Sequence, residues 1–454
     1  MSEQRSLLVD LYELTMAECY RRYKPDTVAT FELFVRELPA NRSFLLCAGL
    51  EDVISFVQGL CFQPDDIEYL RSRRMFSEEF LGHLSRLSFT GDIWAMPEGT
   101  VFFPNEPVIR VTAPVIEAQL VESFLLSTIN LQTMIASKAA RVVLAAKGRP
   151  VFDFSLRRTH GPAAALSVAR SSYIAGCAGT SNVLAGKVYG MPVAGTMAHS
   201  FVMSFANELE SFQAYTRTFA DTSVLLVDTY DTRKGLANAV KAGLALAQAG
   251  HRLAGVRIDS GDIPALSKLA RRMFDAAGLT QVKVVASGNL DEFAIEELLK
   301  QGACVDSFGV GTQMGTSFDA PALDAIYKLV EVSQANGELL PTMKLSAAKV
   351  TLPGRKQVFR NRDAGGTMTS DVIGLEDEKA KGEPLLRKVI ERGKCVYSLP
   401  SLEEIRQHAK KELEGLPQKL KDIRVPKKQS YKISTGAKLA ALTGRLKSRL
   451  AKRQ

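Results

Sequence analysis

From Arg149 to about Glu331 the chain repeats one rhythm: a short apolar strand, a polar or glycine-containing turn, then a helical stretch. The strand-like runs are PVFDF, PVAGTM, SVLLVDT, LAGVRID, VKVVAS, CVDSFGV and IYKLVEV, with helical patterns such as AAALSVARSSYIAG and DTRKGLANAVKAGLALAQAG between them. Strands alternating with helices of this length re-enter a sheet side by side in the same direction, which predicts parallel β/α units. A closed or nearly closed α/β barrel accounts best for the pattern, and an open doubly wound sheet comes second.

The flanks have a different texture. The N-terminal part opens with an amphipathic helix carrying Leu8, Leu11, Leu14 and Met16, then a strand-like TVATFELFVREL, helices around 45–90 and short strands to about Pro114. Beyond Val332 the pattern becomes β-rich and charged to about Ser398. The end places Leu439, Leu442, Leu446 and Leu450 at near-helical spacing among Lys and Arg. The expected division is an α+β domain over 1–140, a barrel over 141–335, a β-rich and helical segment over 336–425 and a basic tail over 426–454.

The net charge of +9 raises the question of nucleic acid, but most of the excess lies between about Lys419 and Arg453. Charge gathered in a terminal stretch is weaker evidence than a basic face on a folded domain, and a solvated amphipathic helix or mobile arm explains it better. The most apolar stretch, Val115–Ile135, is broken by Glu117, Gln119, Glu122, Asn130 and Gln132, so no bilayer span is expected. The N-terminus lacks the basic leader and apolar core of a signal peptide. Six dispersed cysteines form no CxxC pair and read as reduced, which suits a cytoplasmic protein.

In an α/β barrel reactive groups collect where strands end and helices begin. Here those ends read Ser155-Leu156-Arg157-Arg158-Thr159-His160-Gly161, Thr196-Met197-Ala198-His199-Ser200 and Asp228-Thr229-Tyr230-Asp231-Thr232. Further along come Arg257, Asp259, Ser260, Gly261 and Asp262, then Ser287, Gly288 and Asn289, then Gly309, Gly311 and Thr312. Taken singly, each is explained as a helix N-cap or a tight turn. Capping, however, needs one polar residue per turn, not paired arginines, a histidine and repeated Asp and Gly on one rim.

Capture of a polyphosphate fits the set. Glycine turns let backbone N–H groups approach phosphate oxygens, and arginines grip phosphate or carboxylate bidentately. Aspartates suit ribose hydroxyls and Mg²⁺, which takes few carboxylates plus substrate phosphates. No GxxxxGK[ST] is present, and no GxGxxG follows a strand with an acid downstream. Of five histidines, His83, His251 and His408 sit in polar helical or loop contexts and read as surface residues. His199, at a strand-to-helix turn, reads equally as a hydrogen-bonded structural residue or as a nucleophile able to accept a phosphoryl group.

DLYELTMA, FELFVRELPANRSFLLCAGLED, FSLRR, GTMAHSF, DTYDT, VRIDSGD, ASGNLDE and FGVGT together resemble nicotinate phosphoribosyltransferase, in order, from about Asp10 to Phe359. The resemblance implies an irregular parallel α/β barrel with an α+β N-terminal domain that also packs the C-terminal segments. It implies a homodimer with shared active sites that makes nicotinate mononucleotide from nicotinate and phosphoribosyl pyrophosphate, with Mg²⁺, and with ATP phosphorylating His199. Asp228 or Asp231 would orient that ring. Tyr12 from the neighbouring subunit would stack on the pyridine, opposite Phe154. Arg157 and Arg257 would flank the pyridine's acidic substituent and the ribose phosphates, and Asp259 would meet the ribose hydroxyls. Ser287, Gly288, Gly309, Gly311 and Thr312 would cradle the 5′-phosphate. Arg36, Lys328 and Lys344 would neutralise pyrophosphate or ATP, with Arg36 donated across the dimer.

The related nicotinamide enzyme carries an aspartate in a GTD motif where this chain has Gly179-Thr180-Ser181. A serine hydroxyl can donate to a carboxylate that an aspartate would repel, which favours the acid, although Ser181 also reads as an N-cap. His160 stands where the family pattern leads one to expect a small or amide residue. The alternatives are the nicotinamide enzyme and a non-catalytic barrel with a nucleic-acid-binding tail.

Overall fold

The computed structural model describes residues 6–334, 336–345, 351–424 and 431–451. The chain forms two compact units, one of residues 135–321 and one of residues 1–134 with 322–454. Within the described residues no helix is long and apolar enough to cross a membrane.

The unit of residues 135–321 is built on six strands: β1 (Val151–Asp153), β2 (Gly179–Thr180), β3 (Val224–Leu226), β4 (Gly255–Ile258), β5 (Lys283–Ala286) and β6 (Ser307–Val310). Every pairing is parallel, and the order β2-β1-β6-β5-β4-β3 is the chain order wrapped into a ring with one gap between β2 and β3. The closing contact is β6 on β1, with Phe308 opposite Val151 and Val310 opposite Asp153. Leu225, Leu226, Val256, Ile258, Val284, Ala286, Phe308 and Val310 are buried, as fits short strands covered on both faces. The helix Thr232–Gln248 buries Leu236, Ala239, Ala242, Gly243 and Leu246, one stripe at helical spacing.

Two strand expectations are corrected. PVAGTM contributes a single bridge, Val193 beside Thr180, and no strand. Pro192 has no N–H to give; its carbonyl accepts from Thr180 N at 3.1 Å, and Ala194 N then bonds the Thr180 carbonyl at 2.9 Å. IYKLVEV, read as the last barrel strand, lies in Ala325–Ser333 and pairs antiparallel with Val28–Val35 in the other unit. Apolar composition does not encode strand direction.

That other unit holds a seven-stranded antiparallel sheet, Leu339–Pro341, Ala325–Ser333, Val28–Val35, Ile109–Pro114, Asp92–Ala95, Arg387–Glu391 and Lys394–Cys395 in spatial order. N- and C-terminal segments therefore share one layer, as the expected packing requires. A four-stranded sheet adds Glu383–Pro384, Lys356–Arg362, Met368–Leu375 and Ile433–Thr435. Buried charges tie the layer together: Lys356 to Glu32 at 2.7 Å, and Arg360 to Asp371 at 2.6 Å and Glu412 at 2.8 Å.

The basic end is not a free arm. Ile433–Thr435 pairs with Asp371–Ile373, and the helix Ala437–Ala451 buries Leu439 and Leu446. At the other end the helix is Leu11–Tyr23; it buries Glu13, Leu14 and Ala17, whereas Leu8 and Leu11 are exposed, contrary to the expected apolar stripe. His408 is half-buried, not superficial; its Nε2 lies 3.2 Å from Thr100 Oγ1, and burial lowers its pKa.

Candidate active site

Parallel strands end on one side of a barrel, and here those ends surround a cavity of about 200 Å³. Phe154, Arg157 and Arg158 enter it from the turn after β1, Arg257 and Asp259 from β4 and its end. Ser287, Gly288 and Asn289 follow β5, and Gly309, Gly311 and Thr312 come from β6 and its turn. Three arginines face one aspartate, so the lining selects for anions.

Arg257 organises the cavity. Its Nη1 donates to Asp259 Oδ1 at 2.9 Å and Ser287 Oγ at 3.2 Å, and its Nη2 to the Met197 carbonyl at 3.0 Å. Ser287 also donates closely to Asp259 Oδ1. The residue is only 9 % exposed, and its Nε has no hydrogen-bond partner among the described residues. Burial pulls its pKa down, with Asp259 and then Asp228 opposing that shift. A desolvated cation fixed on three sides gains most from an anion that completes it.

His199 begins the helix His199–Met203, two residues after the carbonyl that Arg257 holds. Its Nδ1 shares a 3.1 Å hydrogen bond with Thr229 Oγ1. The aspartates expected to orient the ring are engaged elsewhere. Asp231 caps the helix Thr232–Gln248 by accepting from Lys234 N at 2.8 Å, the ordinary job of an Asp at that position. Asp228 Oδ2 accepts from Asp259 N at 3.1 Å and Ser260 Oγ at 2.6 Å, joining two strand ends. Its Oδ1 is buried with no hydrogen-bond partner among the described residues.

The turn after β1 depends on Asp153, which burial drives toward the protonated form. It accepts from Ser155 N at 2.9 Å and Thr180 Oγ1 at 2.8 Å, fixing the 3₁₀ turn Leu156–Arg158 and the end of β2. Ser181 N donates to the Asp153 carbonyl at 2.8 Å, and the cap of the next helix is Asn182, not Ser181. His160 is exposed. Two glycines are required by space: a Cβ on Gly309 would run into the Phe154 ring, and one on Gly288, at φ +89°, into the Asp259 carbonyl oxygen.

Tyr12, Arg36, Lys328 and Lys344 belong to the other unit. Tyr12 is 45 % exposed, and its pKa is raised by burial and by the Glu122 carboxylate. Arg36 lies 3.8 Å from Asp324. Lys328 stands opposite Glu32 in the sheet, and Lys344 is exposed. Arg158 and Asn289, which line the cavity, and Thr229 belong to the strand-end rim read from sequence but carry no assigned role there, while Asp153 escaped notice. A carboxylate inside the apolar run PVFDF was the available signal for Asp153; a threonine among two aspartates gave none for Thr229.

Family models match most of the chain. The nicotinate phosphoribosyltransferase N-terminal domain matches residues 7–130, the nicotinate phosphoribosyltransferase family model residues 150–375, and the C-terminal domain residues 379–443. The chain is 47 % identical to nicotinate phosphoribosyltransferase pncB2 of Mycobacterium tuberculosis, over 92 % of this chain and 89 % of that one. It is 39 % identical to the nicotinate phosphoribosyltransferase of Bacillus subtilis, over 94 % and 93 %. The crystal structure of human nicotinic acid phosphoribosyltransferase superposes with a TM-score of 0.86 at 31 % identity, covering 97 % of this chain and all of that one. The chain belongs to the nicotinate phosphoribosyltransferase family.

Proposed function

We propose that the barrel mouth joins nicotinate to phosphoribosyl pyrophosphate, giving nicotinate mononucleotide and pyrophosphate, and that ATP turnover at His199 drives the step. The observation that carries this is Arg257, a buried guanidinium with an uncommitted Nε, held by Asp259 and Ser287 in an arginine-lined cavity beside the His199 turn.

The pyridine nitrogen gives its lone pair to the anomeric carbon as the carbon–oxygen bond to pyrophosphate breaks and the leaving group takes that pair. The chain contributes position and charge. Phe154 stacks on the pyridine, Arg157 and Ser181 meet its carboxylate, and Asp259 accepts from ribose hydroxyls. Ser287, Gly288, Gly309, Gly311 and Thr312 hold the 5′-phosphate, Arg257 the anion beside it. His199, its ring oriented by Thr229 in place of Asp228 or Asp231, attacks the γ-phosphorus of ATP as the bond to the bridging oxygen breaks and ADP leaves, and water later takes the group off as phosphate. Tyr12 completes the pyridine site from a second subunit of a homodimer, and Arg36, Lys328 and Lys344 neutralise pyrophosphate or ATP.

Mg²⁺ bound with the polyphosphates supplies charge neutralisation to the leaving group. Among the described residues no group of three His, Cys, Asp or Glu is close enough to hold a metal alone, which fits an ion carried mainly on substrate phosphates, with Asp228 and Asp259 as the nearby carboxylates. Among the described residues the six cysteines form no disulfide, which supports a cytoplasmic enzyme.

Incubation with phosphoribosyl pyrophosphate, Mg²⁺ and ATP, with nicotinate and nicotinamide side by side, tests the proposal. Nicotinate mononucleotide should form, with the acid strongly preferred. A folded protein that yields no mononucleotide defeats the reading, and equal use of the amide defeats the assignment of Ser181.

A further inference from the structure

Behind the Ser287–Asn289 and Gly311–Thr312 turns lies an ionic cluster, buried except for the partly exposed Asp319, that the chemistry above does not use. Lys138, on the helix Glu122–Ala145, places Nζ 2.6 Å from Glu292 Oε2 and 2.8 Å from Asp319 Oδ1. Arg141, one helical turn on, donates through Nε to the other Glu292 oxygen at 3.0 Å. The side chains of Lys138, Glu292 and Arg141 are 1 %, 0 % and 4 % exposed. Among these four side chains two cations face two carboxylates. Such burial is a weak source of stability, since desolvation offsets most of the attraction. It is nonetheless a strict constraint on geometry.

What the cluster constrains is specific. Glu292 is the first residue of the helix that follows Ser287, Gly288 and Asn289. Asp319 closes the turn that follows Gly311, Thr312 and the helix Thr312–Gly315. Lys138 thus bridges the bases of the two turns whose tips form the phosphate wall of the cavity. At the tips a second link runs in parallel: Gln313 Nε2 donates to Asn289 Oδ1 at 3.2 Å.

We infer that Lys138 is a positioning residue for the phosphoribosyl site, setting the distance between the Ser287–Asn289 turn and the Gly311–Thr312 turn through Glu292 and Asp319. This rests on the proposed function. It assigns the cluster an effect on one substrate: the phosphoribosyl group spans both turns, whereas the pyridine contacts assigned to Phe154 and Arg157 come from the turn after β1.

The test compares Asp319→Asn, Lys138→Met and the pair Lys138→Met/Asp319→Asn. Removing Lys138 alone leaves two carboxylates facing one arginine among these residues, whereas the double variant returns them to one of each with the bridge still cut. The KM for phosphoribosyl pyrophosphate should rise on the order of tenfold in the double variant and in Asp319→Asn, with the KM for nicotinate unchanged. The thermal midpoint should fall in Lys138→Met and recover in the double variant. Recovery of the phosphoribosyl pyrophosphate KM along with the midpoint would mean that the cluster only stabilises the fold, and equal rises in both KM values would also overturn the inference. Should Lys138→Met fail to fold, Asp319→Asn alone decides. Wild-type protein that never turns over phosphoribosyl pyrophosphate sinks the proposed function instead, which keeps the two failures distinguishable.

Discussion

Gly288→Ala separates a functional constraint from a merely conformational one. Gly288 sits at φ +89°, and a Cβ there would fall far inside contact distance of the Asp259 carbonyl oxygen. The conformational cost of a side chain in this region is about 1–2 kcal/mol, a modest loss for a chain of this size. The steric demand is larger in consequence: the turn must move by about an ångström to bring the two atoms to a tolerable separation, and misplacement on that scale costs on the order of 10²-fold in rate. Asp259 and Ser287 hold Arg257 from the two sides of that contact, so the displacement falls on the proposed phosphate grip. Gly278→Ala is the control, with φ +75° but nothing within 4 Å of its Cβ. Steady-state kcat/KM for phosphoribosyl pyrophosphate should fall about 10²-fold in Gly288→Ala and stay near wild type in Gly278→Ala, with similar small drops in thermal midpoint. A Gly288→Ala enzyme within twofold of wild type would refute the reasoning.

His199→Ala should abolish product-dependent ATP turnover and leave a slow, ATP-independent transfer; intact coupling would remove the histidine from its role. Burial pushes the Glu13 carboxyl up to about 7 from an ordinary 4.5. Its folded pKa is raised, so its stabilising contribution is full below the unfolded value and is lost as pH climbs through 7. Thermal unfolding of Glu13→Gln and wild type at about pH 5 and pH 8 should therefore converge at the lower pH, with the variant more stable at the higher; a pH-independent difference contradicts this. Arg360→Met removes the arginine shared by the buried Asp371 and Glu412, of which Glu412 keeps Arg362. Urea denaturation should show a loss of about 3–5 kcal/mol; a loss under 1 kcal/mol would mean that these charges are hydrated.

The barrel was legible because its strands are covered on both faces and leave uninterrupted apolar runs. What the runs hid was direction and length. Ala325–Ser333 has the same apolar character but joins the antiparallel layer, and Gly179–Thr180 is two residues with no apolar run at all. The mouth was legible as a set of strand ends, because a rim of Arg, Asp, Ser and Gly exceeds what capping needs. Individual partners were not: Asp231 and Asp228 are two of three neighbouring polar residues, and only coordinates separate a cap from a strand tie from the residue that meets His199. At the termini, periodicity of leucines was a poor guide to burial, since Leu11 faces solvent while Leu439 is buried.

The gap in the ring has a dynamic consequence. Between Thr180 and Val224 a single bridge to Val193 is the sheet pairing, so the segment bearing His199 is secured by short helices and side chains alone. Amide exchange should therefore divide the barrel, fast through the Ala194–Met203 stretch and slow through β4, β5 and β6. Under the proposed function, a phosphoryl acceptor mounted on such a seam can shift as its cargo arrives and leaves while the staves of the barrel stay zipped.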